Sequence, residues 1–408
     1  MNKKKRARTI IVVILLVAIA GVALMSKKGS DIIPGDSYNY VWLEDVTYNN
    51  DVGTGYDGAR TGNSISKISN NEWRMTINPE PQGSYHSAWL DFSLRNMDNG
   101  QTTVSIYGTN SVNEFSSVVD TNLKYMIYTC NGEDYYPITD HTIDRGNNRF
   151  VIRQDFPCNE VQISTYFPYA YEKIQEHIHD KKGNSNVEVS TIGQSVQGRD
   201  IDMIEITNFD VPEINKKQIV IITRQHPGEV LPSFVVEGMI DFILSTGGTY
   251  LNDYHWYIVP ASNPDGIHMG YTRSQSQGIN MNAAWTGNSC VEVNQIRDKF
   301  IAIDNNEEID FFIDFHGFAG GATGSGVYAT GTGGYDFSAI LRSNSWFSFD
   351  SSSSSTGAAQ YARGYAYINL GVRPAVLLEL GQRRTTWTVA QMQLTGQQLT
   401  ESIDEFYD

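Results

Sequence analysis

The chain has 408 residues, of which 40% are hydrophobic and 12% aromatic, so it can bury a sizeable core and is not disordered as a whole. Seven Lys or Arg and no acidic residue lie in the first 28 positions, which leaves 23 basic and 46 acidic groups in the remainder. That surplus of negative charge repels nucleic acid, so we expect no nucleic-acid partner.

The N-terminal segment joins a basic run at residues 3–8 to an uncharged, apolar stretch at residues 10–25. This stretch is slightly long for a signal-peptide core and slightly short for a membrane-spanning helix. We expect residues 1–29 to form an uncleaved membrane anchor, with a cleaved signal peptide as the alternative. Either way, residues 30–408 would be exported, and the membrane would be a partner of the N-terminal segment.

The three cysteines, Cys130, Cys158 and Cys290, do not have the spacing of a metal site. In an exported protein, Cys130 and Cys158 can form a disulfide that leaves Cys290 free. Three independent thiols are an equally open interpretation.

Residues 30–60 are rich in Gly, Asp, Asn and Tyr and are predicted to be a linker and irregular segment. Residues 61–168 instead alternate between apolar and polar side chains in short runs separated by turn residues. This pattern predicts a β-sandwich domain. The clearest predicted strands are residues 73–77, 87–94, 103–107 and 161–166.

Residues 169–408 alternate between predicted strands and helices, which is typical of an α/β domain with a mostly parallel or mixed sheet and helices on both faces. Strands are predicted at 218–223, 257–259, 311–315 and 375–378, and helices at 229–245 and 389–406. A run of five serines at 351–355 is predicted to be a surface loop.

Polar motifs follow several of these strands, at the end of the sheet where open α/β folds place their sites. His226 and Glu229 share a short turn, and His316 and Glu379 each end an apolar run. Two imidazoles and a carboxylate suit a zinc ion, and Glu379 would remain as a base. Taken singly, each motif has a plainer interpretation, such as a capping Glu or a buried core His. Asp314 lies on the same strand face as His316 and could orient it.

An Asn-Pro-Asp-Gly turn at residues 263–266 is followed by Arg273, Asn282 and Trp285. In this order the motifs resemble the zinc carboxypeptidases of the carboxypeptidase A type, and most of all the cytosolic carboxypeptidase branch. The pair Ala362-Arg363 is also similar to a marker of that branch. In the first domain, residues 89–96 and 166–172 resemble segments of the branch's N-terminal β-sandwich.

The resemblance implies a role for each of these residues. His226, Glu229 and His316 would hold one Zn²⁺ per chain, with a water in the open position. Glu379 would be the general base, and Arg273 would stabilise the oxyanion and contact the substrate. The remaining substrate contacts would come from Asn282 and Arg363.

The chain departs from the family pattern at two positions. Ala283 stands where the family has an Arg that clamps the substrate's terminal carboxylate, and Asn280 stands where it has an Asp that orients the first zinc histidine. Arg363 is a candidate substitute cation. Tyr361 and Tyr365 are both candidates for the family's substrate-capping tyrosine.

These features predict a zinc-dependent metallocarboxypeptidase that acts on peptide or protein C-termini. The loss of the clamp at Ala283 keeps open a zinc amidase or endopeptidase on the same scaffold. A catalytically impaired, zinc-containing binding protein is the third interpretation.

Overall fold

A computed structural model describes most of the chain after residue 45. The described residues are 46–49, 51–54, 56–59, 64–77, 80–81, 89–108, 126–318, 325–345, 349–354, 357–381 and 388–408.

The N-terminal half of the described chain forms two β-sheets. Their strands are β1 (Thr47–Asn49), β2 (Val52–Thr54), β3 (Ser64–Ser69), β4 (Glu72–Ile77), β5 (Asp91–Arg95), β6 (Gln101–Gly108), β7 (Ile127–Thr129), β8 (Tyr135–Pro137), β9 (His141–Asp144), β10 (Arg149–Asp155) and β11 (Glu160–Ser164). One sheet has the order β1-β2-β5-β11-β7-β8 and the other has the order β3-β4-β6-β10-β9.

The two sheets pack face to face because alternate residues of each strand are apolar and point inward. Phe92 and Leu94 from the first sheet share a buried cluster with Val104 and Ile106 from the second. The predicted β-sandwich is therefore confirmed.

The cysteines resolve into one disulfide and one free thiol. Cys130 is bonded to Cys158, and Cys290 is buried and free. Of the two open interpretations, the structure therefore selects the disulfide.

The segment predicted to be a linker, residues 30–60, contains β1 and β2, which extend the first sheet. The prediction of irregular structure up to residue 60 is wrong at these positions, because β2 forms by pairing with β5, far along the chain, and β1 by pairing with β2. The division into domains at 61–168 and 169–408 stays a prediction.

The C-terminal part is an eight-stranded mixed sheet with helices. Its strands are β12 (Val187–Gln194), β13 (Asp200–Ile206), β14 (Lys217–Thr223), β15 (Tyr254–Val259), β16 (Ile309–Phe318), β17 (Ser325–Thr330), β18 (Phe349–Ser354) and β19 (Ala375–Gly381), in the order β12-β13-β15-β14-β16-β19-β17-β18. The helices in this part are α1 (Tyr171–His179), α2 (Leu231–Thr246), α3 (Thr249–Asn252), α4 (Pro264–His268), α5 (Val291–Asn306), α6 (Gly331–Asn344), α7 (Ala362–Asn369) and α8 (Val389–Tyr407).

The central strands β15, β14, β16 and β19 run parallel and are buried on both faces. Ile219 and Ile221 of β14 belong to the cluster that includes α2 and α8. Val220 and Ile222 belong to the opposite cluster, which includes α5 and α7. Helices therefore cover both faces, and the predicted α/β class is confirmed.

Two local predictions differ from the structure. Helix α2 begins at Leu231 and not at Glu229, because Pro232 has no N–H to donate and fits only in the first helical turn. The serine run is not a surface loop, since residues 349–354 form β18, which pairs in parallel with β17 at the edge of the sheet.

The sandwich and the α/β part pack into one compact unit. Aromatic residues at the end of the sandwich contact α2, with the rings of Tyr169 and Phe234 4.8 Å apart between centroids. This packing brings segments of the sandwich close to the loops at the carboxyl ends of the central strands.

Candidate metal centre

The candidate site forms where β14, β16 and β19 lie side by side. His226 follows β14 by three residues, while His316 and Glu379 lie near the carboxyl ends of β16 and β19. Parallel pairing sets His316 directly opposite Glu379. Adjacent parallel strands thus bring together residues that are 90 and 63 positions apart in the chain.

The potential ligand atoms of His226, Glu229 and His316 all lie within 4.8 Å of one another. The two Nδ1 atoms of the histidines are 3.2 Å apart. The Glu229 carboxylate lies 2.8 Å from His226 Nδ1 and 2.9 Å from His316 Nδ1. Among the described residues, this is the one group of His, Cys, Asp or Glu close enough to share a metal ion.

The second nitrogen of each imidazole faces an oxygen atom. Asn280 Oδ1 lies 3.0 Å from His226 Nε2, and Asp314 Oδ1 lies 3.1 Å from His316 Nε2. Asp314 in turn accepts a hydrogen bond from Gln225 Nε2 at 2.7 Å. Both rings are thereby oriented with Nδ1 toward the centre of the cluster, as metal-binding histidines require.

The turn that carries His226 and Glu229 leaves no space for a larger residue at Gly228. A Cβ atom on Gly228 would lie 2.9 Å from the Thr272 Cα atom, which is a backbone atom and cannot shift unless the chain around it moves. The Gly228 N–H donates to the Thr272 carbonyl at 3.0 Å. Glycine is therefore required for the turn to pack against the loop around Thr272.

Burial and charge set the protonation of the cluster in the metal-free protein. Burial lowers the pKa of His226. Burial alone would raise the pKa of Glu229, but the two neighbouring histidines hold it well below its usual range. For His316, burial alone would lower the pKa, whereas Asp314 and Glu229 raise it well above its usual range. A cation entering this cluster would displace the proton from His316.

Glu379 lies beside this cluster, and its carboxyl group has no ion-pair or hydrogen-bond partner among the described residues. Burial raises its pKa to about 8. Of the arginines considered as structural partners, Arg373 donates to the Gly371 carbonyl, and Arg383 and Arg384 lie outside the described residues. A carboxyl with such a pKa is suited to proton transfer near neutral pH.

Arg273 lies on a loop after the Asn-Pro-Asp-Gly turn and is half-buried. Its positive charge lowers the pKa of both His226 and Glu379, so it acts on the same site. Within the described part of the chain, its guanidinium has no ion-pair or hydrogen-bond partner. An unpaired cation at this position can receive an anionic oxygen.

The remaining substrate candidates lie along the connection to α7. Asn282 is buried, and its Oδ1 accepts from the Ala362 N–H at 3.4 Å, next to Arg363. Arg363 is 8% exposed, and burial lowers its pKa. Ala283 is exposed and leaves its position without a charge.

The two tyrosine candidates differ in their surroundings. Tyr361 is 40% exposed, whereas Tyr365 packs against Trp285 with ring centroids 5.8 Å apart.

Two residues that support the site were not predicted from the sequence. Gln225 accepts from Trp285 Nε1 at 2.8 Å and so links Asp314 to a buried indole. Glu80, from the sandwich, contacts the backbone around Arg273. The position of Gln225 beside His226 offered a weak signal, but Glu80 lies 193 residues from Arg273 and offered none.

The chain is similar in sequence to known zinc carboxypeptidases. Residues 174–323 match the family model described as zinc carboxypeptidase, Peptidase_M14. The chain is 26% identical over 277 residues to human cytosolic carboxypeptidase 6, covering 62% of this chain and 54% of the relative. It is 27% identical over 288 residues to cytosolic carboxypeptidase 2 of Xenopus tropicalis, covering 62% of this chain and 29% of the relative. The match thus spans about half or less of the length of these curated relatives.

Solved structures share the fold over most of the chain. The metallo-carboxypeptidase of Burkholderia cenocepacia aligns with a TM-score of 0.72 and 19% identity, covering 88% of this chain and 98% of that one. The metallo-carboxypeptidase of Pseudomonas aeruginosa aligns with a TM-score of 0.72 and 20% identity, covering 87% and 99%. These alignments include both the sandwich and the α/β part.

The comparisons contradict the predictions of export, of a membrane anchor and of a membrane partner, which we withdraw. The curated relatives are named cytosolic carboxypeptidases. In the part of the chain that the structure describes, every helix is too short or too polar to cross a bilayer. The segment that motivated the prediction, residues 1–29, lies outside the described residues.

The motifs at the carboxyl ends of the strands, the matched family model and the shared fold agree with one another. Residues 174–323 match the zinc carboxypeptidase model of Peptidase_M14, and the chain is similar to cytosolic carboxypeptidases in sequence and to metallo-carboxypeptidases in fold.

Proposed function

We propose that this chain is a zinc-dependent carboxypeptidase that hydrolyses the last peptide bond of peptide or protein substrates. One observation carries the proposal: the ligand atoms of His226, Glu229 and His316 cluster within 4.8 Å, beside the unpaired carboxyl of Glu379. A purely structural cluster would need no second carboxyl with a raised pKa.

The donor set fits one zinc ion per chain. Two imidazole nitrogens and a carboxylate are the protein ligands of many catalytic zinc sites, which keep the fourth position open. In a tetrahedral site with Zn–N bonds of about 2.0–2.1 Å, two nitrogens lie about 3.3 Å apart. The 3.2 Å between the Nδ1 atoms of His226 and His316 matches that spacing.

A bound zinc ion would lower the pKa of a water molecule and polarise the scissile carbonyl. Glu379 would accept a proton from the attacking water as the new C–O bond forms. It would then return that proton to the departing amine as the C–N bond breaks. The positive charge of zinc would also lower the Glu379 pKa below its metal-free value of about 8, so that the carboxylate is available at neutral pH.

Arg273 would donate hydrogen bonds to the carbonyl oxygen as negative charge develops on it. Its unpaired guanidinium supports this role, because no internal carboxylate competes for it within the described residues. Asn282 and Arg363 would contact the terminal carboxylate of the substrate. Arg363 would then supply a positive charge that Ala283 cannot.

Ala283 also supports a second candidate function, a zinc amidase or endopeptidase. Because its side chain is exposed and uncharged, the site has no clamping Arg at this position. Loss of one charge-assisted hydrogen bond costs about 1.5–3 kcal/mol of substrate binding. A site that depends less on a free carboxylate would accept longer or blocked substrates.

The test compares peptide libraries with free and with amidated C-termini, using the full chain loaded with zinc. The carboxypeptidase proposal predicts release of single C-terminal residues from free peptides alone. Cleavage of amidated peptides at a similar rate would favour the endopeptidase. Bound zinc without any cleavage would favour the impaired binding protein.

Two variants assign the chemistry to Glu379. Glu379→Gln removes the proposed base, whereas Glu308→Gln makes the same change at an exposed position near the amino end of the same sheet. The proposal predicts loss of activity in the first variant and full activity in the second.

A further inference from the structure

Glu80 lies in the sandwich, between β4 and β5, and is 2% exposed. Its carboxylate accepts hydrogen bonds from three successive backbone N–H groups, those of Thr272 at 2.5 Å, Arg273 at 3.1 Å and Ser274 at 2.8 Å. The Ser274 hydroxyl also donates to it at 2.6 Å. Burying a carboxylate is costly unless it is hydrogen-bonded in this way, so the arrangement specifies one position for the loop.

The loop at residues 272–274 is neither helix nor strand, so no regular hydrogen-bond ladder fixes its backbone. A second contact from the sandwich supports it, since the Trp89 N–H donates to Thr272 Oγ1 at 2.9 Å. The start of the Arg273 side chain is therefore set by groups that belong to the other part of the molecule.

The same loop also supports the turn that carries the ligand candidates. Gly228 donates to the Thr272 carbonyl and packs against its Cα atom. A continuous series of contacts thus runs from Glu80 through Thr272 to the turn at His226 and Glu229. The sandwich is in this sense part of the active-site framework.

We propose that Glu80 is a positioning residue that holds Arg273 where it can stabilise the reacting oxygen. The proposal rests on the proposed function, because it assumes that Arg273 acts in the transition state. Glu80 itself does not touch the substrate and acts only through the loop. Correct positioning matters because a misplacement of about 1 Å can cost on the order of 100-fold in rate.

The test is a double-mutant cycle on the full chain loaded with zinc. Arg273→Met is expected to lower kcat by about 10²–10³-fold. Glu80→Gln is expected to lower kcat by roughly 10–100-fold, with little change in KM and one zinc per chain. If Glu80 acts through Arg273, the double variant should match Arg273→Met within about twofold.

Two further variants separate positioning from general destabilisation. Ile106→Ala removes buried side-chain volume from the sandwich core. If Ile106→Ala lowers the Tm by as much as Glu80→Gln does, Ile106→Ala should still keep most of the wild-type kcat. Ser274→Ala removes one hydrogen-bond donor to Glu80 and replaces Glu80→Gln in the cycle if that variant does not fold. Its kcat should fall less than that of Glu80→Gln, and Ser274→Ala should have no further effect in the Arg273→Met background. The proposal would be overturned if the double variant lost kcat by the product of the losses in Glu80→Gln and Arg273→Met. An equal loss of kcat in Ile106→Ala and Glu80→Gln would also overturn it.

The cycle also separates this proposal from the proposed function. If the wild-type protein cleaves no peptide, the proposed function fails. Binding of a phosphonate dipeptide then replaces kcat as the readout, because its tetrahedral anion resembles the charge that Arg273 would contact. Glu80→Gln should weaken phosphonate binding in the wild-type background and have no effect in Arg273→Met. Equal weakening in both backgrounds would overturn the role of Glu80.

Discussion

We predict that Asn280 limits the zinc affinity of the site, so that Asn280→Asp binds zinc more tightly than the wild type. Asn280 Oδ1 lies 3.0 Å from His226 Nε2 and accepts from it as a neutral amide. The Asp variant offers a carboxylate at the same distance. A carboxylate partner makes an imidazole a stronger ligand and favours the tautomer that leaves Nδ1 free for the metal.

The expected gain follows from the usual effect of such partners. Removing them typically costs about 10–100-fold in metal affinity, which corresponds to about 1.4–2.8 kcal/mol of binding free energy. We expect Asn280→Asp to recover an amount within that range. Asn280→Ala should lose affinity relative to the wild type, because His226 Nε2 is then left without an acceptor.

The assay is competition for zinc against a chromophoric chelator, at fixed pH and ionic strength. Asn288→Asp adds the same charge at an exposed position and should leave the zinc Kd unchanged within about twofold. Equal or weaker zinc binding by Asn280→Asp would refute the reasoning about His226. A matching gain in Asn288→Asp would show that net charge, and not the contact to His226, is responsible.

The remaining predictions concern the base, the turn and the pH dependence of metal binding. Glu379→Gln should retain one zinc per chain but lose about 10²–10⁴-fold in kcat, and loss of zinc together with activity would instead make Glu379 a structural residue. Gly228→Ala should lower the free energy of unfolding by about 1–3 kcal/mol and weaken zinc binding, because its Cβ would meet Thr272 backbone; denaturant titration and zinc competition measure both. Because the His316 pKa is raised in the metal-free protein, the ring holds a proton that zinc must displace, so zinc affinity should rise as pH rises through neutrality. In the Glu379→Gln variant, which cannot lose a proton at position 379, calorimetry in buffers of different ionisation enthalpy should detect about one proton released per zinc at pH 7, and no release would contradict the shifted His316 pKa.

The positions of the ligand candidates could be predicted from the sequence because apolar runs mark the buried parallel strands. Each run identified a strand, and the residues at its carboxyl end had to share one edge of the sheet. The sequence therefore predicted that His226, His316 and Glu379 lie close together. The fine register, which sets His316 opposite Glu379, came from strand pairing and could not be obtained from either segment alone.

Features that depend on pairing between distant segments were missed. Nothing in the serines of β18 distinguishes an edge strand from a loop, because backbone hydrogen bonds to β17 define it. Strand β2 likewise exists through pairing with β5, and β1 through pairing with β2. Glu80 has no motif around it, and its importance follows only from the approach of the sandwich to the loop at Arg273.

The central claim, that His226, Glu229 and His316 together hold one zinc ion, is tested most directly by metal stoichiometry. The full chain, loaded with zinc and dialysed, should contain one zinc per chain by mass spectrometry. His226→Ala and His316→Ala should each lose the zinc, while His179→Ala, which changes a partly exposed histidine outside the cluster, should retain it. A wild-type chain that binds no zinc, or site variants that keep it, would contradict the claim.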